Sequence, residues 1–475
     1  MKIFKVLIII ILFASLPYSA YPVVISVIDS GLEVNNSFIK DRVWRNYSEI
    51  ADNEIDDDLN GYIDDLFGWN FVRDNNMVFD ERFRGFFNQD HERFINLQTK
   101  VANDTTTVEE IAWLKQKSRD RKFITEVMAY GNYIHGTHVA GIVVNKSAAN
   151  QIEALKIIET SVRQGPTTRE EFLNSPESKD LRVSYQMGLE RGLQGLALVK
   201  YMLYRFVNQQ MAQMARVIHY VDVTHAVVAN ASFGTEYSAA SKMVLMLYKI
   251  FLQETPSASD LKFATGYFFD QVLTRGQEIF GKASRTLFVF AAGNDSSDND
   301  IYPASPTNLR LDNTIAVAAL DSNTTYGSDR LAKFSNFGKS NVDVVAPGVS
   351  VVSSIPENKL LAVSGTSQAA PFVSNIAGEV LNLNPLLSPQ QVKQIIIGTV
   401  DVRLSLRGLV ASSGVVNKDR AMLAAKYSKN YPLKQAILMA KEDLKSMPPI
   451  RTARRLSQQL DFVLPLVSEF SIMNI

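Results

Sequence analysis

Apolar positions fall along the chain in short uninterrupted runs, separated by longer stretches with a helical repeat. Residues 21–28 carry Val23, Val24, Ile25, Val27 and Ile28 almost without a break, the pattern of a strand buried on both faces. Comparable runs occur at 152–158, 226–231, 286–292, 314–319 and 342–345. Between several of them apolar residues recur at helical spacing, predicting helices over 199–217, 238–251, 263–280 and 370–383. Strands alternating with helices predict an α/β fold on a mostly parallel sheet, with ligands gathered beyond the carboxyl ends of the strands.

Two stretches interrupt this alternation and read as insertions. Residues 73–133 are charged and aromatic, with a helix predicted over 107–129; residues 161–191 are polar and read as a surface excursion. Residues 1–20 pair basic Lys2 and Lys5 with the apolar run 6–12 and small residues near Ala20, which predicts a signal peptide and export. Tyr18 is unusually large for its place before that cleavage point, so an uncleaved anchor is the alternative. The main domain is expected over 21–425, leaving no room for a prodomain before it. A basic, helix-prone tail follows over 426–475, broken by Pro448-Pro449.

Composition narrows the chemistry. Among 475 residues, 46% hydrophobic and 21% charged, Lys+Arg and Asp+Glu both number 49. The balance describes an ordinary globular chain and gives no electrostatic case for a nucleic-acid or membrane-surface partner. With no cysteine, disulfides, thiolate metal sites and a cysteine nucleophile are excluded. Covalent or acid–base work falls to Ser, Thr, His and carboxylates.

Four segments carry such groups. Ser364-Gly365-Thr366-Ser367-Gln368-Ala369-Ala370-Pro371 places a serine at the start of an apolar helix, with Pro371 suited to the first turn; alone, Ser367 could be a helix cap. His135-Gly136-Thr137-His138 lacks the glutamate of a zinc-protease helix, so His135 reads as a base or as a structural histidine. Asp29 ends the first strand, where a carboxylate can orient an imidazole or simply form a turn. Asn294, in Ala291-Ala292-Gly293-Asn294, can aim a carboxamide at an oxyanion or occupy a turn.

Together these segments closely resemble the subtilisin-like serine proteases (the subtilase, or peptidase S8, family), with the order Asp, His, Ser. The resemblance implies a three-layer α/β/α fold and a secreted endopeptidase. In it Asp29, His135 and Ser367 form the triad, and Asn294 stabilises the oxyanion. Ser232, Phe233 and Gly234, with Ala291 and Gly293, match the strands that hold an extended polypeptide substrate. No cofactor is expected for catalysis, and a monomer is expected. One departure is Gln368, where the family usually carries Met; activity is expected to survive it. The competing reading is a non-catalytic peptide-binding protein of the same fold, its cleft covered by the 73–133 insertion. An α/β-hydrolase esterase would need G-x-S-x-G around Ser367, which is absent.

The most acidic stretch is 52–65. Asp56, Asp58, Asn60, Tyr62 (through its carbonyl) and Asp64 have the spacing of a calcium loop, with Gly61 at the turn. Phe67 stands where an EF-hand needs its bidentate Glu, so that motif is excluded. The expectation is a structural calcium ion; a solvated acidic turn is the alternative.

Overall fold

The computed structural model describes residues 23–446 apart from 103–104, 148, 164 and 322–328. The signal-peptide reading and the tail beyond 446 therefore lie outside the described residues. Twelve strands are found among the described residues: β1 (Val24–Asp29), β2 (Gly68–Asn70), β3 (Gln151–Lys156), β4 (Val228–Ala231), β5 (Leu287–Ala291), β6 (Thr314–Asp321), β7 (Arg330–Leu331), β8 (Val344–Pro347), β9 (Val351–Ile355), β10 (Lys359–Val363), β11 (Asp401–Val402) and β12 (Gly414–Val415). The helices are α1 (Gln89–Ala102), α2 (Val108–Lys117), α3 (Arg121–Val144), α4 (Arg169–Asn174), α5 (Lys179–Glu190), α6 (Gly195–Val223), α7 (Tyr237–Leu247), α8 (Ala258–Phe280), α9 (Thr366–Leu383), α10 (Pro389–Gly398), α11 (Lys418–Tyr427) and α12 (Leu433–Asp443).

Ten strands form one sheet in the order β11-β12-β8-β6-β5-β4-β1-β3-β2, with β7 beside β6. The six apolar runs of the sequence are β1, β3, β4, β5, β6 and β8, and each pairs parallel with its neighbours among them. Alternate residues serve opposite faces. Ile25, Val27 and Val289 pack with Val139, Val373 and Ile395, under α3, α9 and α10. Ile28, Phe288 and Phe290 pack with Val217 and Phe280, under α6 and α8. The result is helix, sheet, helix: an α/β/α sandwich.

The interruptions fold differently from the expectation. The helix predicted over 107–129 is two, because Asp120 caps a new helix by accepting the Phe123 N–H at 3.1 Å. The second of them, α3, runs on through His135. Residues 161–191 are more than a surface excursion, since Phe172 and Leu181 join α6, α7 and α8 in a third apolar cluster. The inserted helices α1 and α3 lie against the β9–β10 hairpin, where Tyr130, Tyr133 and Ile134 pack with Ile355, Leu361 and Val363.

Candidate active site

Asp29, Ser232 and Asn294 all stand at or just beyond the carboxyl ends of neighbouring strands β1, β4 and β5, while α3 and α9 deliver His135 and Ser367 from one face. The approach of α3 depends on Gly136: a Cβ there would lie 2.0 Å from the Gly31 carbonyl oxygen. Its N–H donates to Ser30 Oγ at 3.1 Å, fixing the helix to the turn that follows Asp29.

Asp29 is fully buried and His135 is 3% exposed. His135 Nδ1 meets Asp29 Oδ1 at 2.7 Å, and the Ser30 N–H donates to the same oxygen at 2.7 Å. With Nδ1 engaged by a carboxylate, Nε2 is the ring nitrogen left to accept a proton. It is buried and has no hydrogen-bond partner among the described residues. Lys156, paired with Asp29 across the β1–β3 ladder, is also fully buried. Its ammonium donates to the Ser30 and Ile158 carbonyls and lies 3.1 Å from Asp80. Burial pulls the Lys156 pKa down, while its cation holds the Asp80 carboxyl below the usual range.

Ser367 occupies the first turn of α9 and is 5% exposed. Its hydroxyl donates to the Ser232 carbonyl at 3.1 Å, and Ser232 Oγ donates back to the Ser367 carbonyl at 2.9 Å. The structure thus brings Asp29 and His135 into contact and holds the Ser367 hydroxyl on β4's extension instead of on His135. The reciprocal pair has a local cause. Because α9 begins at Thr366, Pro371 lies in its second turn and not in the first as expected. Lacking an N–H, Pro371 cannot bond the Ser367 carbonyl four residues back, and that oxygen is free to take Ser232. The Ser367 N–H is one of the first-turn groups a helix leaves unpaired.

Asn294 is oriented by the residue before the nucleophile. Its Oδ1 accepts from the Thr366 N–H at 2.9 Å and the Thr366 hydroxyl at 3.1 Å. A backbone N–H can only donate, so the atom facing Thr366 is the oxygen, and Nδ2 points away unpaired among the described residues. Thr366 was present in the sequence motif, but its orienting part depends on the fold. Gly293 has φ +110°, and its N–H donates to Thr366 Oγ1 at 3.1 Å.

Ser232, Phe233 and Ala291 are buried, whereas Gly234 and Gly293 are half-buried. The backbone groups of Phe233 and Gly234 have no hydrogen-bond partner among the described residues. Thr235, next along, already pairs with Ser305 in both directions. His138 is set apart from this chemistry: it is buried, its Nε2 lies 3.0 Å from the Leu361 carbonyl, and burial lowers its pKa to about 4. Gln368, behind the nucleophile, is fully buried with both amide atoms unpaired.

The acidic loop folds into a different donor set from the one its spacing suggests. Asp56 spends its oxygens on the Asn60 and Gly61 N–H groups, and Asp64 on those of Asn53 and Glu54. The Tyr62 side chain is buried and donates to the Arg216 carbonyl. Asn60 Nδ2 bridges Asp58 and Asp65. Oxygens of Glu49, Asp58 and Asp65 converge within 4.8 Å of one another, so Asp58 is the one expected carboxylate in the converging group. Asp65 is fully buried, and burial raises its pKa to about 6 despite hydrogen bonds from Tyr220, Asn46 and Asn60. Three hard oxygen donors around a desolvated carboxylate suit calcium.

A sequence model of the subtilase family (peptidase S8) matches residues 22–427. A thermophilic serine proteinase of Bacillus sp. (strain AK1) is 39% identical over 142 residues, 29% of this chain and 31% of the relative. Subtilisin DY of Bacillus licheniformis is 40% identical over 121 residues, 25% of this chain and 40% of that protein. Subtilisin-like protease 2 of Plasmodium falciparum is 32% identical over 147 residues, 30% of this chain and 10% of that protein. The matched segments thus span well under half of each relative.

Proposed function

Since the chain belongs to the subtilase family, we propose that it is a serine endopeptidase working through Asp29, His135 and Ser367. The observation that carries this reading is the 2.7 Å Asp29–His135 bond with the opposite ring nitrogen buried and unpaired. A small rotation takes the Ser367 hydroxyl from the Ser232 carbonyl to that nitrogen. As Oγ attacks the scissile carbonyl carbon, His135 takes its proton and later gives it to the leaving amine; water then cleaves the acyl-enzyme by the same route. Asp29 stabilises the imidazolium. Asn294 Nδ2 and the Ser367 N–H receive the oxyanion, in the field of the α9 N-terminus. The unpaired backbone of Phe233 and Gly234 supports binding of an extended polypeptide by strand addition, with Ser232, Ala291 and Gly293 beside it.

A fluorophosphonate probe tests this: folded wild type labels and hydrolyses peptides, and Ser367→Ala does neither. Labelling absent from folded wild type favours the non-catalytic peptide-binding alternative. Residues 1–20 support export, with mature protein beginning near Tyr21, which N-terminal sequencing of secreted material checks. No helix among the described residues is long and apolar enough to cross a membrane. Calcium, the structural ion in this reading, would sit with Glu49, Asp58 and Asp65 and take no part in the reaction.

A further inference from the structure

The turn that carries Asn294 is gripped from behind by two side chains with no part in the proposed reaction. Glu236, the residue before α7, accepts the Asn294 backbone N–H on Oε1. A Cβ on Gly293 would lie 2.6 Å from that same oxygen and 2.4 Å from Asn336 Nδ2. Asn336 in turn accepts the N–H groups of Asp295 at 2.8 Å and Ser297 at 3.0 Å, and its own N–H donates to the Gly293 carbonyl at 2.9 Å. Asp295 brings a second carboxylate against Glu236, and Ser238 donates to its far oxygen. Asp295 is the ionisable group that faces Glu236, and no cation stands near enough among the described residues to neutralise the two. Burial and this neighbour hold the Glu236 carboxyl well above the usual carboxylate range. An uncharged Glu236 has one oxygen for Asn294 and one O–H for Asp295, which satisfies both contacts.

We propose that Glu236 is a positioning residue for the oxyanion hole, clamping the Asn294 backbone through a carboxyl that shares one proton with Asp295. While the pair holds its proton, the Gly293–Asn294 turn keeps Nδ2 where the oxyanion forms. When both carboxylates are charged they repel, Glu236 leaves the Asn294 N–H, and the donor drifts. Glu236 thereby sets an alkaline limit on turnover that the triad alone does not impose. The inference rests on the protease reading above.

The test is kcat and KM for a peptide substrate between about pH 5 and 10, for wild type, Glu236→Gln and Glu236→Ala, with thermal melts alongside. Gln keeps an acceptor for Asn294 and an N–H for Asp295 but cannot ionise. The expected result is kcat within about threefold of wild type near pH 6 for Gln, with the alkaline fall removed or moved upward. Ala loses about tenfold or more in kcat with KM little changed, part of the roughly 10²–10³ carried by an oxyanion donor. A Gln profile superimposable on wild type, or an Ala variant with unchanged kcat, overturns the proposal. Should Ala fail to fold, the Gln profile decides. A wild type that neither hydrolyses nor labels with fluorophosphonate overturns the protease reading and this one together; an active wild type with an unaltered Gln profile overturns this one alone.

Discussion

The strand ends around Ser367 and the acidic loop at 49–65 both bury polar groups, and they treat them in opposite ways. In the loop almost every carboxylate oxygen named above meets a donor: Glu49 takes the N–H groups of Asp57, Asp58 and Asp64, and Asp56 and Asp64 take four more. Around the nucleophile, Asp29 Oδ2, His135 Nε2 and both amide atoms of Gln368 are buried with no partner among the described residues. A buried polar atom without a partner costs about 1–3 kcal/mol. Satisfied groups build architecture; unsatisfied ones mark where another molecule is meant to complete the set.

That contrast can be broken in three places. The largest effect is expected at Asn294, whose Nδ2 is left unpaired while Oδ1 is held by Thr366. Asn294→Ala should lower kcat by about 10²–10³ with little change in KM or melting temperature, measured by steady-state kinetics and calorimetry. Equal losses in activity and stability would make Asn294 a mere turn residue.

The loop comes next, through Asp65. Its pKa, raised to about 6 in the folded protein from 3.8, means that the associated stability is present below about pH 4 and is lost as pH rises through 6. In chelator, the folded state should lose on the order of 3 kcal/mol between pH 4 and 8 from this group. Saturating calcium should remove that loss, and Asp58→Ala, at an exposed ligand, should abolish the response to calcium. A melting curve indifferent to both calcium and chelator would make the loop a self-sufficient turn.

Gln368 offers the smallest effect. Gln368→Met replaces two unpaired buried amide atoms by a thioether of similar length, and should stabilise the fold by about 1 kcal/mol with activity kept. A drop in stability would show that the amide has a partner in solution, such as a buried water.

Much of the site was legible because its residues lie where local patterns change. Asp29, Asn294 and Ser367 each stand where an apolar run gives way to small turn residues, and β1, β3, β4, β5, β6 and β8 are continuous enough to be read directly. The rest depends on distance in space. Glu49 and Asp65 reach Asp58 only once the loop closes, whereas Asp56 and Asp64, at the expected spacing, are consumed by nearby N–H groups. Glu236 lies 58 residues from Asn294. The split of 107–129 turned on one cap at Asp120, and the two-residue strands β7, β11 and β12 carry too few positions to show any alternation.

The missing N–H of Pro371 reaches beyond the nucleophile. By freeing the Ser367 carbonyl for Ser232, it knits the first turn of α9 to the extension of β4, while Thr366 ties the same turn to Asn294. Fraying of that single helical turn therefore disconnects nucleophile, oxyanion donor and substrate strand at once. A partly folded chain is not a weakened protease but an inert one, so newly made or unfolding copies do not digest one another. Cleaving competence arrives as a step at the end of folding.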